Sequence, residues 1–267
     1  TVVEMLEDIL VMLDADVRRE LRRSMEEHLK IRILTGKPLA DIAATDKGVT
    51  GKFGDEALRA DLLLASIGRK PFTTGLALEA AGVTTNKAGY IEVDAYGQTR
   101  AASVYAIGDV NGGPQLAHAA TAQGIAVVET ALKKGRRQFD PLVPACIFTV
   151  PEIGAVGLTE TQAKEKQLAV KTGKFTFAAL GKAMAMGETG GFVKWVADAA
   201  TDRLLGAHAV GPHATELIAE ATLAIKAEYT AHELGMVIHS HPTLSETWME
   251  AAHALHGVCI HAPPRRR

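Results

Sequence analysis

Within His239-Ser240-His241-Pro242-Thr243-Leu244-Ser245-Glu246 the backbone has few conformations open to it. Pro242 fixes its own φ and drives His241 towards an extended conformation. Thr243 and Ser245 are both good N-cap residues, and the run from Leu244 to Leu255 reads as a helix closed by Gly257. The segment is therefore a sharp turn breaking into a helix, with an imidazole on the entry loop and a carboxylate in the first helical turn. Two readings of that carboxylate are open. His241 oriented by Glu246 is the arrangement of a tuned acid–base group. Thr243-Leu244-Ser245-Glu246 also fits a capping box, in which the glutamate returns to the backbone of its own helix start.

The remainder of the chain supplies the context. Its 267 residues, 47% hydrophobic and 22% charged, describe a globular protein with room for two domains. A net charge of −2 points to no nucleic-acid partner, and no stretch approaches the ~18 apolar residues of a membrane span. The terminal Arg265-Arg266-Arg267 reads as a solvated tail. Cys146 and Cys259 match neither a CxxC pair nor a metal set, so they read as buried or interface thiols, no metal is expected, and a reducing compartment fits. The chain opens mid-strand at Thr1, as if its true beginning were missing.

Thr1 to Leu6 reads as a strand carrying an acid, Glu4. An acid at the end of the second strand of a doubly wound dinucleotide-binding unit bonds the adenosine ribose, although the glycine-rich turn of such a unit is absent and a surface glutamate is the plainer reading. Val17, Leu21, Met25 and Leu29 predict an amphipathic helix over 14–30, followed by a short strand at 31–34 and a meander over 39–53. Ala60 to Ile67 is a continuous apolar run of the buried parallel-strand type, ending in Gly68, where backbone could approach a dinucleotide closely. A second unit starts near Phe72. It holds a short helix closed by Gly82, strands at 90–93 and 103–110, and a small-residue helix that begins at Leu116-Ala117-His118. The Gly108-Asp109 strand end suits a cofactor hydroxyl, or is an ordinary turn. From Pro144 a third unit reads as α+β: apolar 145–150, a strand at 153–157, a helix capped by Thr159, strands at 170–177, 191–197 and 204–210, and an Ala-rich helix at 215–227 whose apolar face suggests a subunit interface. Met184 and Met186 fall in an apparent irregular loop. His28, His213 and His232 read as surface residues and His208 as a strand residue near the core, with His253 and His256 on the last helix.

Five motifs then align in order: Ala65-Ser66-Ile67-Gly68-Arg69-Lys70-Pro71, Val104-Tyr105-Ala106-Ile107-Gly108-Asp109-Val110, Leu116-Ala117-His118, Leu204-Leu205-Gly206-Ala207-His208, and the His239–Glu246 run with Met249-Glu250-Ala251-Ala252-His253 behind it. Together they resemble the pyridine nucleotide–disulfide oxidoreductases over essentially the whole chain, and the last run looks most like the branch that oxidises dihydrolipoamide. The resemblance implies an α/β remnant of a doubly wound NAD domain (1–70), a central FAD-contacting segment (71–142) and an α+β dimerisation domain (143–267). It implies a homodimeric flavoenzyme using FAD and NAD, with His241 as acid–base and Glu246 as its orienting partner. Asp109 would bind the FAD ribityl chain, Gln115, Leu116, Ala117 and His118 would lie along the flavin, Glu4 would bind the NAD ribose, and Gly68 would line the NAD site.

Neither the GxGxxG turn nor the CxxxxC redox pair of that family occurs in these residues, so the chain reads as the C-terminal portion of such an enzyme. The implied partner is dihydrolipoamide carried on an acyltransferase or carrier protein of a 2-oxoacid dehydrogenase or glycine cleavage complex, in the cytoplasm or, in a eukaryote, the mitochondrial matrix. A glutathione-type disulfide reductase and a non-catalytic dimerisation fragment are the alternatives.

Overall fold

The structure, a computed structural model, describes residues 1–262, so Arg265-Arg266-Arg267 lie outside the described residues. The chain forms two compact units, one of residues 1–63 with 144 onward, the other of residues 64–143.

The first unit opens with β1 (Val2–Glu4), α1 (Ala15–Glu27) and β2 (Ile33–Thr35). β1 and β2 pair in parallel, and Glu4 is the last residue of its strand. The helix starts where Asp14 accepts the Asp16 N–H at 3.0 Å, and it buries Val17 and Leu21 as the four-residue spacing predicts. Strands β3 (Leu39–Thr45), β4 (Gly48–Phe53) and β5 (Glu56–Ala60) then make an antiparallel meander. The apolar run over 60–67 is not the buried strand its composition predicts. Only Ala60 is in a strand, and Leu62, Leu64 and Ile67 are exposed. The reason is physical: an apolar run becomes a central strand only beside strands that pair with it, and the parallel sheet here contains β1 and β2 alone.

In the second unit a small core of Val83, Ile91 and Ala106 holds mostly irregular chain. A 3-10 turn at Leu78–Ala81 ends at Gly82 in the left-handed region. The expected strands at 90–93 and 103–110 are isolated bridges instead, Thr85 with Ile91 and Gln98 with Tyr105. Each is one residue pair held by two backbone bonds, such as Asn86 N–H to the Tyr90 carbonyl and Glu92 N–H to the Thr84 carbonyl, and among the described residues the pairing does not extend into a ladder. Gly108–Asn111 forms a further 3-10 turn, and α2 (Ala117–Ala131) follows from Leu116 as predicted.

The first unit resumes with β6 (Ala145–Ile147), β7 (Glu152–Gly157), α3 (Glu160–Glu165), β8 (Val170–Thr176), α4 (Gly181–Met186), β9 (Phe192–Asp198), β10 (Leu204–Gly211), α5 (Ala214–Lys226), α6 (Ala231–Gly235) and α7 (Glu246–His256). Thr159 caps α3 in a full capping box with Gln162. The two methionines read as a loop lie in α4, which buries Ala183 and ends on Gly187. The five strands form one antiparallel sheet in the order β6-β7-β10-β9-β8. Both faces are covered. Phe192 and Val210 pack with Val17 and Leu21 of α1, and Lys194, on the same face as Phe192, reaches Asp14. On the opposite face Trp195 meets Trp248 of α7, ring centroids 4.7 Å apart. Burial on both sides explains why β9 and β10 read as continuous apolar runs rather than alternating ones. Cys146 and Cys259 are only half-buried, and Cys259 Sγ–H donates to the Glu250 carbonyl at 3.4 Å.

Candidate active site

The most defined cluster of functional side chains lies where α7 begins. Helix α7 is fixed against the sheet by both tryptophans: Trp195 Nε1–H donates to the Trp248 carbonyl at 3.0 Å, and Trp248 Nε1–H to the Leu217 carbonyl of α5 at 2.9 Å. Gly173 of β8 lets the α7 backbone approach so closely that a Cβ there would overlap the Ala251 carbonyl and the Leu255 side chain. The last turn closes on Gly257 at φ 72°, a conformation costly for other residues.

This rigid platform holds the first-turn carboxylate of Glu246, whose side chain is 6% exposed. One oxygen, Oε1, lies 2.9 Å from His241 Nδ1. The other, Oε2, accepts the Thr243 N–H at 2.8 Å. Glu246 thus makes the contacts of both readings, one to the imidazole and one to a donor at its own helix start. The capping box is only half formed, because the Thr243 hydroxyl donates to the Ser240 carbonyl instead of accepting from the helix. Burial works against ionisation of Glu246, and the Thr243 N–H together with His241 outweighs it, holding the carboxyl below its usual value.

A carboxylate accepts only, so Nδ1 of His241 donates to it, and in the neutral ring Nε2 is the nitrogen left with a lone pair. The His241 side chain is 70% exposed, its peptide bond to Pro242 is cis, and no bond holds its Nε2 among the described residues. The geometry is that of an imidazole with a fixed tautomer and a basic nitrogen open to a reactant.

Two further histidine–glutamate pairs lie near it, and the sequence reading gave neither a role. His239 Nε2 is 2.7 Å from Glu220 of α5, and Glu250, fully buried one turn after Glu246, holds His261 at 2.6 Å. The only sequence signal for the first was the HxH spacing. On the sheet face towards α1, Lys194 meets Asp14 at 2.9 Å, Asp16 at 3.1 Å and Glu160. His208 is buried beside this network, as expected of a core strand residue, and burial pushes its imidazole below the usual value.

The other predicted residues are distributed over both units. Glu4 belongs to the first, where its Oε1 accepts the Leu6 N–H at 2.9 Å. Gly68, Asp109, Gln115, Leu116, Ala117 and His118 belong to the second. Gly68 has φ 109° and open space around it. Asp109 sits in the Gly108–Asn111 turn with Arg69 3.6 Å away, an exposed and therefore weak pair. Gln115 donates to the Tyr90 hydroxyl at 3.3 Å, Leu116 occupies the N-cap of α2 without a side-chain cap, and Ala117 and His118 form its first turn. The sequence reading missed Gln123, whose buried carbonyl oxygen accepts from the Gly108 N–H at 2.7 Å and from Asn111 at 3.1 Å, pinning the turn that carries Asp109. Among the described residues no group of three or more His, Cys, Asp or Glu could hold a metal ion. Nor is any helix among them long and apolar enough to cross a membrane.

Comparison with known proteins bears on the family of the chain. Residues 1–124 match the family model described as pyridine nucleotide-disulphide oxidoreductase, and residues 143–252 match that family's dimerisation domain. A dihydrolipoyl dehydrogenase of Thermus scotoductus is 44% identical over 98% of this chain and 58% of its own length. One from Bacillus subtilis is 43% identical over 98% of this chain and 56% of its own length. Among solved structures, LpdA from Mycobacterium tuberculosis is 30% identical and superposes with a TM-score of 0.87, over 95% of this chain and 55% of that one. The chain thus spans little more than half the length of the relatives it matches. With both family models matched in order and the sequence likeness running through nearly all of it, the chain belongs to the pyridine nucleotide-disulphide oxidoreductase family.

Proposed function

We propose that this chain supplies the C-terminal part of a dihydrolipoyl dehydrogenase, which oxidises dihydrolipoamide with NAD+ through FAD and a redox disulfide. The observation that carries the proposal is the His241–Glu246 pair, with its tautomer set and its basic nitrogen exposed. In this reading His241 Nε2 takes the proton of a dihydrolipoamide thiol. The resulting thiolate attacks one sulfur of the redox disulfide, forming a new S–S bond and releasing the other sulfur as a thiolate. Glu246 holds the imidazole in register and stabilises the imidazolium formed. The sulfur centre comes from outside these 267 residues, which contain no CxxxxC pair. An exposed His241 suits a site completed by a second subunit, so the unit is a homodimer.

The residues present fit the cofactors. Bound FAD would carry the electron pair from the sulfur centre to NAD+. Asp109 offers a carboxylate from a turn pinned by Gln123, suited to a ribityl hydroxyl, and α2 begins at Ala117 with no side chain capping its first amides. The segment from Gln115 to His118 would lie along the flavin. Glu4 keeps Oε2 for a ribose hydroxyl while Oε1 takes the Leu6 N–H, and its charge would repel a 2′-phosphate, which favours NAD over NADP. Gly68, with no atom near its α-carbon face, would line the NAD site.

The division at residues 70 and 142 into NAD-binding portion, central FAD-contacting segment and interface domain belongs to the same proposal. So do the partners, dihydrolipoamide on an acyltransferase or carrier protein of a 2-oxoacid dehydrogenase or glycine cleavage complex, and a location in the cytoplasm or mitochondrial matrix. A glutathione-type reductase shares the His–Glu chemistry, but the relatives at 44% and 43% identity are dihydrolipoyl dehydrogenases. The test is a paired assay of the holoenzyme that carries this sequence. Dihydrolipoamide-dependent NAD+ reduction by a yellow protein is expected. Reduction of glutathione disulfide by NADPH in its place would overturn the assignment.

A further inference from the structure

The loop that presents His241 is almost without anchors. From Met236 to Pro242 every residue is exposed except His239, whose side chain is 5% exposed. Ile238 beside it is 97% exposed. Between Val237 and Ser240, the bond from His239 Nε2 to Glu220 Oε1, at 2.7 Å, is the only side-chain tie to another helix among the described residues. The second ring nitrogen, Nδ1, is 2.9 Å from the Val237 carbonyl. Both nitrogens thus face acceptors. A neutral imidazole can donate from only one nitrogen, so the arrangement needs a proton on each.

We propose that His239 is a positioning residue, a doubly protonated imidazolium that clamps the His241 loop onto α5 through Glu220. The charged groups facing it are Glu220 from α5 and Glu246 from α7, and both favour the cation. The hydrogen bond that His239 donates to Glu220 is the largest influence, exceeding the opposing effect of burial, and the imidazole is held above its usual value. With Glu220 ionised, a clamp of this kind is complete below the ordinary imidazole value of 6.5 and releases as pH rises through the raised one. His239 acts on the reaction only through His241, so the inference rests on the reading of His241 as the acid–base.

Two side-chain replacements separate the charge from the contact. His239→Asn is too short to reach Glu220, whereas the amide nitrogen of His239→Gln falls near the position of Nε2 and restores a neutral bond. A charge-assisted bond is about twice as strong as a neutral one, so in the holoenzyme kcat for dihydrolipoamide should fall about tenfold or more in His239→Asn. It should recover to within about threefold of the parent in His239→Gln, with KM little changed in both. In a pH titration followed by nitrogen-15 NMR, His239 should keep protons on both ring nitrogens to higher pH in the parent than in Glu220→Gln. Loss of the second proton at the same pH in both, or unchanged kcat in His239→Asn, overturns the clamp. His241→Gln, run in parallel, separates the two claims. If it keeps full turnover the site reading fails, and the NMR result still decides the state of His239.

Discussion

Replacing Glu246 by glutamine removes one charge and almost no volume, and the structure shows what must follow. Glu246 accepts two hydrogen bonds, from the fixed backbone N–H of Thr243 at 2.8 Å and from His241 Nδ1 at 2.9 Å. Glutamine has one oxygen. The Thr243 donor cannot turn away, so the oxygen stays with it and the amide NH2 faces His241. Nδ1 must then accept, and the ring proton moves to Nε2, the atom proposed to take the thiol proton. The variant keeps its histidine in place but in the wrong tautomer. Loss of a general base costs about 10²–10⁴ in rate, and a histidine left in the wrong tautomer falls at the upper end, about 10⁴ in the serine-protease triad. Glu246→Asp, which retains the charge, should fall between variant and parent. The assay is steady-state kcat for dihydrolipoamide on flavin-loaded protein, with nitrogen-15 NMR of His241. A kcat within about threefold of the parent, or a proton still on Nδ1, would refute the reasoning.

Other consequences can be checked by unfolding. Lys194→Met strands three carboxylates around a buried apolar side chain and should destabilise the first unit by about 3–5 kcal/mol in urea titrations. Gly173→Ala places a methyl group into the α7 backbone and should cost about 1–3 kcal/mol, lowering turnover as well because α7 carries Glu246. The Glu246 carboxyl is held below its ordinary 4.5, so its contribution to stability is complete above that value and is lost as pH falls through the lower folded one. Glu246→Gln should flatten that part of the acid-unfolding curve, and an unchanged acid limb would contradict the assigned bonds.

Where sequence and structure agree, the cause is local. The spacing of Val17 and Leu21, the Thr159 and Gln162 pair, and Gly257 after the last helix each encode a helix or its end within a few residues. The His241–Glu246 pair is equally local, five residues across one turn, and Glu246 proves to serve the helix start as well. Where they diverge, the missing information is tertiary. Leu62, Leu64 and Ile67 have strand composition but no pairing strand, and the runs around Ile91 and Ala106 pair at single bridges. Met184 and Met186 flank too few polar residues to show a helical stripe, and their helix is fixed by burial of Ala183. Glu220 is a surface-type residue of α5 that becomes informative only when His239 is brought beside it across 19 positions.

The most direct test is turnover of dihydrolipoamide by His241→Gln in the holoenzyme that carries this sequence, measured on protein whose flavin absorbance matches the parent. The account predicts a fall in kcat of at least about 10² with FAD retained. Turnover near that of the parent would contradict it, and with it the assignment of the His241–Glu246 pair as the acid–base of this site.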